Sequence, residues 1–326
     1  MQRKFRWVEC GLVLGLLALA SSCSVRGHSG SANQAETQPL KRTAIVFQEF
    51  YGQLFPFPLA RVRVAGESTW MVVDTGSTHH VLADWLVRKL ALTSRPSVST
   101  GQGHMGDQVQ VRNVDLKELD IEGWGAVPTP ALISIQLPSV YEKLGVGGVL
   151  SPQLLGEAGA AVQISFPQGE MRLVPAASPA EPRTQSYFGT RVNTDVCAAA
   201  PQSGQATQYL VPLTVDGRSV RLLLDTGAPE TDLREADSVV RDIARGRSVT
   251  RETRTPMTSS AKVQVGELKG VVLSVGTLRQ VLDLALIPGI SPPDCPSQGH
   301  LGLSVLRECS LLLQEASFSA ECRPAP

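Results

Sequence analysis

The stretch WMVVDTGSTHHVL, Trp70–Leu82, runs three apolar residues after Trp70 straight into Asp-Thr-Gly. A carboxylate at the end of a buried strand is costly unless something nearby requires it. The same text returns as RLLLDTGAPETDL, Arg221–Leu233. The likeness extends outward from both triplets. RVRVAGESTWMVVD leads into Asp74 and PLTVDGRSVRLLLD into Asp225, with Gly66 and Gly217 each eight residues before the aspartate. Both segments predict a strand, a glycine turn and a second strand that ends in the motif.

The repeat continues downstream. In VLADWLVRKLAL the residues Val81, Leu82, Trp85, Leu86 and Leu90 share one helical face. In LREADSVVRDIA, Leu233, Ala236, Val240 and Ile243 do the same. VQVRNVDLKELDI from Val109 and VQVGELKGVVLSV from Val263 both begin with strand-like alternation, and ALI recurs at Ala131 and Ala285. VLSPQLL (149–155) matches HLGLSVL (300–306). This sets Ser151 as far beyond Asp74 as Gly302 lies beyond Asp225, 77 residues in both cases. Two homologous lobes follow, 43–180 and 205–326. The Pro- and Ala-rich stretch that starts at Pro175 supplies a linker over 181–204.

The 326 residues suffice for two such lobes, and 42% apolar content supplies a core. Lys+Arg and Asp+Glu are equal at 30 each, so no basic surplus favours nucleic acid. Arg3, Lys4 and Arg6 precede an apolar run from Gly11 to Ala20, then LASSCS. A run of that length is too short to span a bilayer but fits a signal peptide over 1–23. Small residues before Cys23 resemble a bacterial lipoprotein cleavage site, with Cys23 as the lipidated residue. An ordinary secretory signal cut nearby is the alternative. Residues 24–42 are small and polar, as in a flexible tether. Export to the bacterial cell envelope, at the outer membrane or cell surface, is expected.

The four cysteines outside this segment, Cys197, Cys295, Cys309 and Cys322, favour disulfides in an exported chain. Three pairings are open. Cys309 with Cys322, which flank a strand-like stretch, leaves Cys197 with Cys295. C-x-x-C spacing is missing, so no metal site is expected. GQGHMG, Gly101–Gly106, satisfies G-x-G-x-x-G, but a strand-like segment follows it where a dinucleotide site needs a helix. The glycines suit a mobile hairpin tip over a cleft. His79 and His80 predict a surface turn, and His104 a solvent-exposed position.

These residues resemble the aspartic proteases of the pepsin and retropepsin clan, and the resemblance covers nearly all of the chain after the signal. It implies a mostly β protein of two homologous closed-barrel lobes, a short helix after each Asp-Thr-Gly loop and an active site between the lobes. Asp74 and Asp225 then form the catalytic dyad. Thr75, Gly76, Ser77, Thr226, Gly227 and Ala228 support it. Gly101, Gly103, His104 and Gly106 stand in the flap. Three features depart from the family pattern: the unequal fourth residues, Ser77 and Ala228; Ser151 in place of glycine; and a flap without tyrosine.

Two carboxylates about 3 Å apart cannot both ionise and so share one proton, of which aspartic proteases are the standard instance. The ionised one activates water and the protonated one polarises the carbonyl, with no cofactor. Thr75 and Thr226 are expected to hydrogen-bond across the lobe junction. Ser77 offers Asp74 a donor that Ala228 cannot offer Asp225, so Asp74 is the expected carboxylate and Asp225 the expected proton holder. The implied activity is an endopeptidase acting on peptides or proteins, held at the membrane by its lipid. A lipoprotein that binds peptides or envelope partners without cleaving them is the alternative.

Overall fold

Each Asp-Thr-Gly is delivered by a β-hairpin. In the first repeat Leu59–Val64 pairs with Glu67–Val73, and in the second Gln208–Val215 pairs with Arg218–Leu224. Both turns place two consecutive residues at positive φ: Ala65 (48°) and Gly66 (89°), Asp216 (47°) and Gly217 (77°). That is the two-residue hairpin turn whose twist matches the flanking strands. These are observed in a computed structural model that describes residues 41–176, 195–197, 204–256, 258, 262–276, 278–291, 295–315 and 317–322. The signal segment, Cys23, nearly all of the tether and most of the linker lie outside the described residues.

The two hairpins open two sheets with the same strand order. In the first, the hairpin is followed across the sheet by Val146–Leu150, Val81–Ala83, Ile133–Ile135, Gln108–Val114 and Ser94–Gln102. In the second it is followed by Gly299–Leu301, Asp232–Arg234, Leu278–Ile287, Val263–Val275 and Val249–Arg254. The second sheet curls on itself, because Gln208–Val215 also pairs with Val263–Val275. The strands entering the motifs are buried on both faces: Met71, Val72 and Val73 in one, Leu222, Leu223 and Leu224 in the other. They can be continuous apolar runs because neighbouring strands and the second layer cover them.

A third sheet joins the repeats. Arg42–Ala44, Glu170–Pro175 and Ala160–Ser165 come from the first, Cys309–Gln314 and Ser317–Cys322 from the second, with Val162 opposite Leu313 and Ser165 opposite Ser310. Its buried face carries Ile164, Met171, Leu311, Leu313 and Phe318 into one core shared by both repeats. Residues 39–326 accordingly form one compact unit. The disulfides are Cys197–Cys295 and Cys309–Cys322, the latter joining directly opposed hairpin residues. No helix among the described residues is long and apolar enough to cross a membrane.

The helices are shorter than the apolar spacing predicts. Val81 and Leu82 lie in the strand Val81–Ala83, and the helix is only Asp84–Lys89. Leu233 lies in Asp232–Arg234, and the second helix is Ser238–Ala244, opened by Asp237, whose carboxylate accepts the Val239 N–H at 2.8 Å. In both repeats the first apolar residues of the supposed helical face are claimed by ladder partners on two sides. Val240 and Ile243 are buried as expected. The ALI match is also offset: Ile133 pairs with Val81 as Ala285 pairs with Asp232, so the counterpart of Ala285 is Ile133 and not Ala131.

Candidate active site

The two motif loops meet head to head. Asp74 Oδ1 accepts the Gly76 N–H at 2.7 Å, and Asp225 Oδ1 accepts the Gly227 N–H at 2.8 Å. The two carboxyls face each other across the loop junction, each set against the other motif's glycine. Each glycine is required by the opposite aspartate. A Cβ on Gly76 would stand 2.6 Å from Asp225 Cγ, and one on Gly227 would stand 2.5 Å from Asp74 Cγ. Beneath them the threonines cross over. Thr75 Oγ1 accepts the Thr226 N–H (3.1 Å) and donates to Leu224 O (2.9 Å); Thr226 Oγ1 accepts the Thr75 N–H (3.0 Å) and donates to Val73 O (2.7 Å). Both threonines are fully buried, so this four-bond lattice ties the repeats without water.

A second pair of symmetric contacts supports the loops. The Gly302 N–H donates to Thr231 Oγ1 (3.1 Å), and in the first repeat the Ser151 N–H donates to His80 Nδ1 (3.1 Å). His80 is therefore no surface residue. It is 2% exposed, does the work of Thr231, and burial pushes its pKa down to about 4. Ser151 is accommodated at the glycine position: it is buried, and its hydroxyl donates to Ser77 O at 2.9 Å.

The expected asymmetry between the aspartates is reversed. Ser77 Oγ donates to His79 O (2.8 Å), not to Asp74. Burial and then the Asp225 charge push the Asp74 pKa well up, whereas Asp225 is held down. Burial opposes ionisation of Asp225, but a hydrogen bond from His104 leads the contacts that overcome it. The Asp74 pKa lies above its ordinary value and the Asp225 pKa below, the opposite order to that expected from Ser77.

His104 is also not solvent-exposed in the predicted sense. Ser94–Gln102 and Gln108–Val114 form a hairpin closed by Gly103 N–H to Asp107 O (2.7 Å) and Gly106 N–H to Gly103 O (2.9 Å). Gly106 has φ +83° and its Cα faces Gly289 of the second repeat. Thr258 Oγ1 donates to Asp107 Oδ2 at 2.8 Å. The hairpin is thus a flap, closed, with His104 beneath its tip. His104 Nδ1 lies 3.3 Å from Asp225 Oδ2 and Nε2 lies 2.9 Å from Asp232 Oδ2. With Asp225 and Asp232 both ionised, the imidazole between them donates from both nitrogens and is charged. Burial opposes this, but Asp232 and Asp225 raise its pKa to about 10.

Asp232 is 1% exposed, and its Oδ1 accepts from the His300 backbone N–H (3.1 Å) and Nδ1 (2.9 Å). His300 Nε2 lies 3.1 Å from Arg234 Nη2. Arginine only donates, so Nε2 accepts and Nδ1 carries the proton: His300 is neutral. Burial, first, keeps its pKa low. Ligand atoms of His104, Asp232 and His300 lie within 4.8 Å of one another, a donor set of the kind metals use. In this arrangement these atoms are engaged with one another and with Arg234 Nη2 as a hydrogen-bonded ion network. Asp232, Arg234 and His300 were not singled out in the sequence. The signal was there: the repeat sets them against Val81, Ala83 and Val149, polar residues opposite apolar ones.

Dyad, flap and ion network line one cleft of ≈ 1070 Å³. Residues 60–156 match the family model described as aspartyl protease. The match lies within the first lobe. The second lobe repeats the motif, the strand order and the loop contacts, which places the chain in the aspartic protease clan. Among solved structures, the aspartic proteinase from Irpex lacteus is similar at 12% identity and a TM-score of 0.45, over 88% of this chain and 98% of that one. No curated protein matches the sequence.

Proposed function

We propose that the protein is an aspartic endopeptidase. The observation that carries this is the meeting of two Asp-Thr-Gly loops, each carboxyl set against the other's glycine, in a cleft under a flap. A peptide lies extended in the cleft as an added strand. Asp225 takes a proton from water as its oxygen bonds to the scissile carbonyl carbon. Asp74 gives its proton to the carbonyl oxygen, and proton return to the amide nitrogen lets the C–N bond break. General acid–base assistance of this kind is worth roughly 10²–10⁴ in rate.

The test is a diverse peptide library incubated from acidic to neutral pH, with Asp74→Asn and Asp225→Asn proteins as controls. Either change abolishes cleavage in folded protein. Because the pair acts as one unit, the losses do not add. Cleavage by the double variant would sink the assignment. One observation favours a second function, peptide binding without turnover: His104 occupies the cleft against Asp225. Saturable peptide binding with no product at any pH would select it. We further propose, from the sequence of the first 23 residues, that the protein is exported and anchored through Cys23.

A further inference from the structure

The two walls of the cleft differ in one respect. Val81 and Asp232 stand at equivalent positions, each seven residues past its catalytic aspartate, and Val149 is matched by His300. One wall is apolar, and the other holds a carboxylate. Asp232 is retained at 1% exposure by three donors. Two of them, the ring and backbone N–H of His300, come from an adjacent strand and are fixed. The third is His104, on the flap.

No peptide can reach Asp225 while His104 lies 3.3 Å from its carboxylate. When the flap lifts, Asp232 Oδ2 loses the imidazole bonded to it at 2.9 Å and keeps only His300 Nδ1, at 3.1 Å, among its side-chain hydrogen-bond partners in the described residues. Arg234 remains, but its guanidinium bonds His300 rather than Asp232. A buried carboxylate stripped of a partner is costly, so whatever fills the cleft is selected for positive charge there. Ala285 and Ile287, on the neighbouring strand, line the same cleft and offer apolar surface to a long side-chain stem.

We propose that Asp232 is the floor of a cation-selecting subsite beside the scissile bond, where a Lys or Arg side chain of the substrate takes the place that His104 holds when the flap is closed. The subsite deepens the endopeptidase assignment and rests on it for the scissile bond alone.

Matched peptides carrying Lys, Arg, norleucine or Glu on each side of the bond in turn test it. On one side, kcat/KM for Lys and Arg exceeds that for norleucine by about tenfold or more, the value of one charge-assisted hydrogen bond. Asp232→Asn brings that ratio towards one. The same side chains are also placed on hydroxyethylene isosteres, which bind without being cut, and their affinities are measured by calorimetry. A wild-type protein that cuts nothing yet binds the Lys isostere about tenfold more tightly than norleucine upholds the subsite while the endopeptidase assignment fails. Equal handling of Lys and norleucine, in turnover and in binding, overturns the subsite. So does a preference for Glu, which would assign the pocket to Arg234. If Asp232→Asn does not fold, the wild-type ratios decide alone.

Discussion

At the residue scale, the two aspartates share a sequence context but not an environment. Asp74 sees burial and a neighbouring charge, and Asp225 sees an imidazolium. In the closed flap of the free protein His104 therefore favours Asp225 as the ionised carboxylate, and Ser77, bonded to His79 O, does not. His104→Ala removes a donor to the charged form of Asp225, so the acidic limb of the kcat/KM profile moves to higher pH. Ser77→Ala leaves that limb in place. A limb that tracks Ser77 and ignores His104 would restore the opposite assignment. Beneath the dyad the threonine lattice carries stability. Thr75→Val strands the buried Thr226 N–H, and Thr226→Val strands the Thr75 N–H. Each costs about 1–3 kcal/mol in denaturant unfolding, and because each variant deletes its own two bonds the double variant costs at least as much as the larger single loss and up to about their sum. Wild-type stability in both single variants would show that the crossed bonds do not form.

At the element scale, the flap couples closure to pH through His104. In the closed flap its pKa is about 10, against an ordinary 6.5 once lifted away from the carboxylates. A raised histidine pKa contributes fully below 6.5 and is lost as pH rises through about 10. Asp225 and Asp232 are held below their ordinary range, in part by His104, so the share that His104 supplies is lost as pH falls through their lowered values in the closed state. Closure is strongest between these limits. Hydrogen exchange at the Gly103 and Gly106 amides, corrected for intrinsic rates, shows greater protection near pH 6 than near pH 10, and His104→Ala flattens the difference. Equal protection in both proteins would mean that the ion pairs do not hold the flap down. The hairpin itself was legible from GQGHMG followed by alternation at Val109, as were the Gly66 and Gly217 turns. The three-residue strands Val81–Ala83 and Asp232–Arg234 were not. Three apolar-rich residues before a helix carry no period of their own, and only their ladder partners mark them as strands. His80 and His104 escaped for the same reason: burial against Ser151 or Asp225 arises from residues 71 and 121 positions away.

At the scale of the whole molecule, the repeat made two lobes legible, but not the way they share a sheet. Cys309–Gln314 belongs to the second repeat by sequence and pairs with Ala160–Ser165 of the first, a long-range ladder that no local pattern announces. The even cysteine count, together with the expectation of export, pointed to disulfides, and the pairs that form are the ones favoured from spacing. The remaining question of scale is where this molecule resides. Basic residues, then an apolar run from Gly11 to Ala20, then small residues before Cys23, favour export and lipidation. Residues 24–42 would then serve as the tether between the lipid and Arg42–Ala44, the edge strand of the joining sheet. One acyl chain binds a bilayer only marginally, with an association constant of roughly 10⁴ M⁻¹, so stable anchoring needs more than one chain on Cys23. Wild-type protein is expected in the membrane fraction, resistant to salt and released by detergent. Its N-terminal peptide should begin at Cys23 and carry the mass of several acyl chains. Cys23→Ala should move the protein to the soluble fraction or leave it unprocessed. An unacylated N-terminus at another residue, on a protein that still turns over peptide, would show an ordinary secretory signal and leave the dyad, the flap and the subsite untouched.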